Sequence, residues 1–300
     1  MTASATAALP HVSVVIPCHN REDTVVEAVE SVLTQDYPHL DVIAVDDAST
    51  DRTMEMLRTI TDPRLSIVTN PGPRGPSAAR NHGVAQSSAP WIAFQDSDDI
   101  WLPGRLSAQM GTLAQGAHVA GYCGMVIKAD ADPATPVQDR QPRPEIAPRE
   151  GDILPSLTGG SFISTQMLII RRDVFAAVGG FDEDLNALVD WELMLRVAQE
   201  GPVDFVDEDL VIQRMSENSI TRSSRKRLAA QEYVLSKHQS LMAHYPSSLA
   251  KHHHRLAGGY RMFSEWRAAA AHASKAVEAA SGNMRYRLYA TYLRARALIS

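Results

Sequence analysis

Two cysteines in 300 residues are too few for a disulfide framework, so Cys18 and Cys123 read as reduced thiols of a cytosolic protein. Cys18 has no partner nearby in the sequence to activate it, which argues against nucleophilic catalysis there. No stretch approaches the ~18–20 apolar residues of a membrane span. Met1–Pro10 has neither the basic start nor the apolar centre of a secretory signal. The expected location is therefore the cytoplasm, free or peripheral at the inner face of the plasma membrane. A basic excess is also missing: 29 Lys and Arg stand against 35 Asp and Glu, a net charge of −6. A general nucleic-acid binder is usually basic, so none is expected as partner.

What is present suits a mixed α/β protein. An apolar fraction of 44% is ample for a core. The length suits one large α/β domain with a smaller appendage. Four short apolar runs, Val12–Ile16, Val42–Val45, Leu65–Val68 and Trp91–Phe94, read as buried strands. Helical patterns lie between them: one after Asn20, which is placed to cap it, one over Thr53–Ile60 and one from Ser77. Alternation at spacings of roughly 25–30 residues implies parallel pairing through right-handed crossovers. No Gly-x-Gly-x-x-Gly follows the first strand and no P-loop occurs, so any bound phosphates must be met by metal and side chains. A helix follows from Pro103. Strands are expected over His118–Lys128 and Ser164–Ile170, with Ala129–Arg149 a surface loop, and a helix begins at Asp190.

The acidic residues stand out. Asp46 and Asp47 end the second strand, and Asp96, Asp98 and Asp99 follow the fourth. Carboxylates this close repel one another and raise each other's pKa, so folding alone does not call for them. Helix capping accounts for some of these acids. A hard divalent cation, which takes carboxylate and phosphate oxygens, accounts for the cluster after the fourth strand. In an open α/β sheet both clusters meet at the carboxyl edge, where ligands bind.

The ordered set VSVVIPCHN (Val12–Asn20), SVLTQDY (Ser31–Tyr37), VDDASTD (Val45–Asp51), SAARNHG (Ser77–Gly83), FQDSDDIW (Phe94–Trp101), VGGFDED (Val178–Asp184) and DWELMLR (Asp190–Arg196) resembles the family two glycosyltransferases of GT-A fold. The likeness covers about residues 12–222. It implies an α/β, mostly parallel, Rossmann-like sheet flanked by helices. The implied activity is inverting transfer of a sugar from a nucleotide donor, most simply UDP-linked, to a hydroxyl of a cell-surface polysaccharide or glycolipid, with Mg²⁺ or Mn²⁺. Pro17 and Asn20 would line the base pocket, and Asp46, with Asp47 beside it, would meet the base. Arg74 or Arg80 would touch the nucleotide, Arg80 being equally suited to an internal ion pair. Asp98 would ligate the metal, and Asp96 would sit at the ribose or the metal's water shell. Asp99 would support the loop. Asp190 would be the general base, with Trp191 beside it either in the core or stacked on an acceptor sugar. Many members carry a histidine after the base helix; Gln213–Arg222 has none, so Arg214 or Arg222 is expected at the diphosphate.

The organisation read from the sequence is an unstructured 1–10, a GT-A catalytic domain 11–222 and a helical region 223–300. In the last, Leu228, Leu235 and Met242 recur every seven residues, and Tyr245-Pro246 ends that helix. His252-His253-His254 read as a solvated face, since adjacent helical histidines diverge. The final helix sets Arg285, Arg287, Arg294 and Arg296 among tyrosines and leucines. It suits a packed helix with a basic outer face, or one lying on an anionic membrane. Two other functions compete: a silent nucleotide-sugar-binding or assembly subunit, and a sugar-phosphate nucleotidyltransferase, whose Gly-rich basic loop Pro17–Asn20 lacks.

Overall fold

The computed structural model describes residues 9–71, 74–215 and 224–299. Most of the stretch expected to be unstructured, and Arg222, lie outside these. The described chain forms two compact units, one running to Ile153 and including 162–184 and 189–215, the other made of Leu154–Ser161, Leu185–Leu188 and the chain from residue 224 onward.

In the first unit the strands β1 (Val12–Cys18), β2 (Leu40–Asp46), β3 (Leu65–Thr69) and β4 (Trp91–Phe94) alternate with the helices α1 (Val25–Leu33), α2 (Thr53–Arg58) and α3 (Pro76–Gln86). Then come β5 (Ile100–Trp101), α4 (Arg105–Leu113), β6 (Ala120–Lys128) and β7 (Asp139–Gln141). The short α5 (Leu154–Leu157) belongs to the second unit. It is followed by β8 (Leu168–Arg171), α6 (Arg172–Ala177), α7 (Val189–Val197) and β9 (Val203–Arg214). The sheet order is β3-β2-β1-β4-β8-β6-β9-β5, with β7 paired to β6.

The first four strands are parallel, as their spacing requires. β8 is antiparallel to both its neighbours, which makes the sheet mixed. The register sets Cys18 beside Asp46 and Asp46 beside Thr69, so the carboxyl ends of β1, β2 and β3 reach one rim. Val14, Ile16, Val42, Val45 and Ala93 are fully buried, as strands covered on both faces demand. Gly83 lets α3 sit close on this sheet. A Cβ there would lie 2.5 Å from Val15 Cγ1 and 2.9 Å from Val45 Cγ2.

Several local expectations are corrected. Asn20 does not cap α1, whose N-cap position is Thr24. The Ala129–Arg149 segment is not all loop, because β7 forms a short antiparallel ladder with β6. The expected strand over Ser164–Ile170 begins as a single 3₁₀ turn, Thr165–Met167. The twelve-residue β9 has no counterpart in the sequence reading. Its exposed acids at Asp207 and Glu208 break the apolar run, and the register against β6 shifts just there, around Gly124.

The second unit is helical: α5, α8 (Ser224–Lys237), α9 (Gln239–Ala243), α10 (Pro246–Met262), α11 (Trp266–Ala279) and α12 (Met284–Leu298). Pro246 opens α10 at its first turn, where the missing N–H costs nothing. The histidine run is packed rather than solvated, and its members do diverge. His252 is buried, with Nε2 2.8 Å from the Thr158 carbonyl and Nδ1 2.9 Å from Gln231 Nε2. His253 Nδ1 lies 3.1 Å from His272 Nδ1, and His254 rests on Tyr286 and Tyr289.

Candidate functional site

The two acidic loops leave the sheet at the same rim but are held differently. After β2, Asp46 is buried. Its Oδ2 accepts a long bond from the Ser49 N–H at 3.4 Å. Its Oδ1 is buried with no partner, an acceptor ready for a ligand N–H. Asp47 has no such freedom. Its Oδ1 accepts from Asn70 Nδ2 at 2.8 Å and from the Arg74 N–H at 3.0 Å, and its Oδ2 from the Gly75 N–H at 2.8 Å. The carboxylate thus anchors the loop after β3. Asp51 accepts from the N–H and hydroxyl of Thr53 and from the Glu22 N–H, which pulls its pKa down despite partial desolvation.

Asn20, with a positive φ of 51°, ties the first two loops together. Its Oδ1 accepts from the Thr50 N–H at 2.8 Å, and its own N–H donates to Ser49 Oγ at 3.1 Å. Pro17, one residue before the end of β1, lies opposite Val45. Cys18 is buried and its thiol is pushed far up by desolvation and then by Asp46, so it stays protonated and inert.

After β4, the loop is built on arginines. Arg80 is buried, and its Nη2 meets Asp96 Oδ1 at 2.5 Å. The guanidinium faces the Phe181 ring, and Nε is buried without a partner. Arg80 therefore makes the internal ion pair. Asp98 Oδ2 lies 3.2 Å from Arg21 Nη2. Arg214, at the end of β9, donates from Nε to the Asp98 carbonyl at 2.5 Å, from Nη1 to Glu27 at 2.5 Å and from its N–H to Asp99 Oδ1 at 2.9 Å. Its Nη2 is buried and unpartnered. Asp99 is buried and also accepts from Gln166 Nε2 at 2.9 Å. Burial first, and the neighbouring Asp96 second, raise the pKa of both Asp98 and Asp99.

The structure thus gathers Asp96, Asp98, Asp99, Arg80 and Arg214 around one loop. Arg74 stands apart in an exposed pair with Glu183 at 2.7 Å, which Asn81 Nδ2 also meets at 3.0 Å. Asp190 begins α7, and its Oδ1 accepts from the Trp191 N–H at 2.7 Å. Trp191 is buried, so it belongs to the core. Arg21 and Gln166 carry no sequence sign of their roles; the loop after β1 and the 3₁₀ turn before β8 bring them in.

This arrangement can hold a hard cation. Asp98 offers oxygen, its charge is held among like charges that a cation would relieve, and Asp96 stands beside it. The unpartnered Nη2 of Arg214 is a donor suited to phosphate oxygen.

Against known proteins, the model of the family "Glycosyl transferase family 2" matches residues 13–179. The chain belongs to glycosyl transferase family 2. Among curated relatives, the succinoglycan biosynthesis protein ExoO of Rhizobium meliloti is 38% identical over 40% of this chain and 35% of its own length. The Escherichia coli UDP-Glc:alpha-D-GlcNAc-diphosphoundecaprenol beta-1,3-glucosyltransferase WfaP is 34% identical over 40% of this chain and 47% of its own. The chain thus spans less than half the length of these curated relatives. Among solved structures, Staphylococcus aureus TarS 1–349 in complex with UDP-GlcNAc superposes with a TM-score of 0.70 at 17% identity, covering 95% of this chain and 88% of that one. A Pyrobaculum calidifontis mannosyltransferase in complex with GDP-Man and Mn²⁺ gives 0.62 at 20%, covering 96% and 86%. The fold is GT-A, and WfaP and the Pyrobaculum protein are named as a glucosyltransferase and a mannosyltransferase. No helix among the described residues of this chain is long and apolar enough to cross a membrane.

Proposed function

We propose that this protein transfers a sugar, with inversion, from a UDP-linked donor to a hydroxyl of a lipid-linked polysaccharide precursor at the cytoplasmic side. The observation that carries the reading is the arginine-bound acidic loop after β4, with the unpartnered Asp46 Oδ1 at the end of β2, on the other side of β1. Relatives named for UDP-Glc and diphosphoundecaprenol substrates support the donor and acceptor class.

In this reading Asp46 Oδ1 accepts the base N–H while Pro17 and Asn20 shape that pocket. Asp98, with Asp96 beside it, would hold Mg²⁺ or Mn²⁺, which would supply positive charge for a departing diphosphate. Arg214 Nη2 supplies a second positive contact there. Asp190 accepts the proton of the acceptor hydroxyl as that oxygen attacks the anomeric carbon from the face opposite the leaving group. Asp47 and Asn20 act before chemistry, by fixing the loops that carry the pocket.

Asp190→Asn separates binding from chemistry. UDP titration by calorimetry in Mn²⁺ should be unchanged, while turnover of a UDP-sugar on a lipid-linked acceptor falls by about 10²–10⁴. Loss of UDP affinity equal to the loss of turnover would make Asp190 structural.

A further inference from the structure

The last helix carries two apolar faces, and only one is used inside its unit. Stepping about 100° per residue, the buried Ala290 and Leu293 point one way, along with Tyr286 and Tyr289, which touch His254. Roughly opposite lies a second stripe, about 80° wide at that pitch: Met284, Leu288, Tyr292 and Ile299, exposed by 61%, 66%, 47% and 76%. Leu298, 88% exposed, borders it. The arginines fall along its two edges, Arg285 and Arg296 on one, Arg287 and Arg294 on the other. Arg296 leans over Trp266 and Arg294 bonds Ser274 Oγ, while Arg285 and Arg287 are exposed and make no side-chain hydrogen bond, ion pair or ring contact with the described residues. Residues 281–300 contain four arginines and no Asp or Glu, in a chain whose net charge is −6.

An outward apolar stripe bordered by arginines matches the layering of a bilayer surface. Apolar side chains enter the acyl boundary, and arginines on both edges reach the phosphate level with their stems along the apolar zone. A water-facing helix has no reason to expose four large apolar groups in line. A neutral protein groove would not explain arginines on both flanks without a single acid. We infer that α12 is a membrane-docking helix that lies in the plane of an anionic lipid surface. The inference deepens the lipid-linked-acceptor reading, but its test needs neither donor nor activity.

Flotation of the full chain with vesicles of phosphatidylcholine, alone or mixed with phosphatidylglycerol, tests it. Binding should be at least tenfold greater to the anionic vesicles. Leu288→Asp with Tyr292→Asp should cut the bound fraction at least tenfold at low salt. Arg285→Glu with Arg287→Glu should cut affinity about 25-fold or more, since each basic residue near such a surface contributes about fivefold, and raised salt should mimic it. These positions are exposed, so circular dichroism melting should match the parent and exclude misfolding. Equal partition of parent and Leu288→Asp/Tyr292→Asp chains overturns the inference. So does a dimer in sedimentation velocity that the aspartates dissolve without change in vesicle binding, since the stripe would then face a second copy. Intact UDP binding with no flotation would sink this inference alone and leave the proposed function standing.

Discussion

The loop after β2 and the loop after β4 look alike in sequence, yet their aspartates do different work. Asp47 accepts from two backbone N–H groups and an asparagine amide, so its charge is spent on holding a loop. Asp96 and Asp98 meet arginine side chains. A carboxylate facing fixed backbone donors is a structural clamp. One facing a side-chain guanidinium, with a like charge nearby, can take a cation as a further partner. The donors around an acid, more than its place in a motif, decide which it becomes.

The largest effect that would break this contrast is on ligand binding. Asp98→Asn should weaken UDP affinity in Mn²⁺ by about 100-fold, because the amide is a poor ligand for a hard cation. The melting temperature should hardly move. Unchanged affinity with a lowered melting point would reverse the roles of the two loops. Asp47→Ala is the counter-experiment. It strands three donors where the carboxylate is buried, and urea unfolding should show a loss of about 2–4 kcal/mol. If Asp47→Ala instead kept full stability and lost only UDP, Asp47 would be a ligand residue.

The smaller test carries the same contrast to bases. His252-His253-His254 is one run with three surroundings. His253 is pushed down to about 4, by burial first and then by His272 and Lys275, with Glu232 opposing. Folded His253 stays neutral where the unfolded chain takes up a proton, so its contribution is lost as pH falls from about 6.5 towards 4. Melts at pH 7.5 and 5 should therefore differ less for His253→Asn than for the parent. An equal drop in both would place the acid sensitivity elsewhere, His272 being the next candidate because it too is held down by burial.

Much of the fold was legible because local patterns and global packing agree. Val12–Ile16 and Val42–Val45 are β-branched runs long enough to cross a buried sheet, and the parallel pairing follows from the spacing between them. The acidic loops stood out in the sequence as a candidate site because repulsion between neighbouring carboxylates needs a reason. β9 escaped because its middle turns polar at a register shift against β6, so neither alternation nor an unbroken apolar run marks it. Asn20 was read as a helix cap and a pocket residue but not as a clasp, since its partners, Ser49 and Thr50, are about thirty residues away.

By itself the sequence determined the parallel half of the sheet, the family and the rim at which the acids gather. These follow from period, spacing and short motifs, all local properties of the chain. Only tertiary structure decided which acids are clamps, which arginines attend them and which face of the last helix is left exposed. Those outcomes depend on donors and apolar surfaces supplied by residues far away in the chain, and no local pattern encodes who arrives.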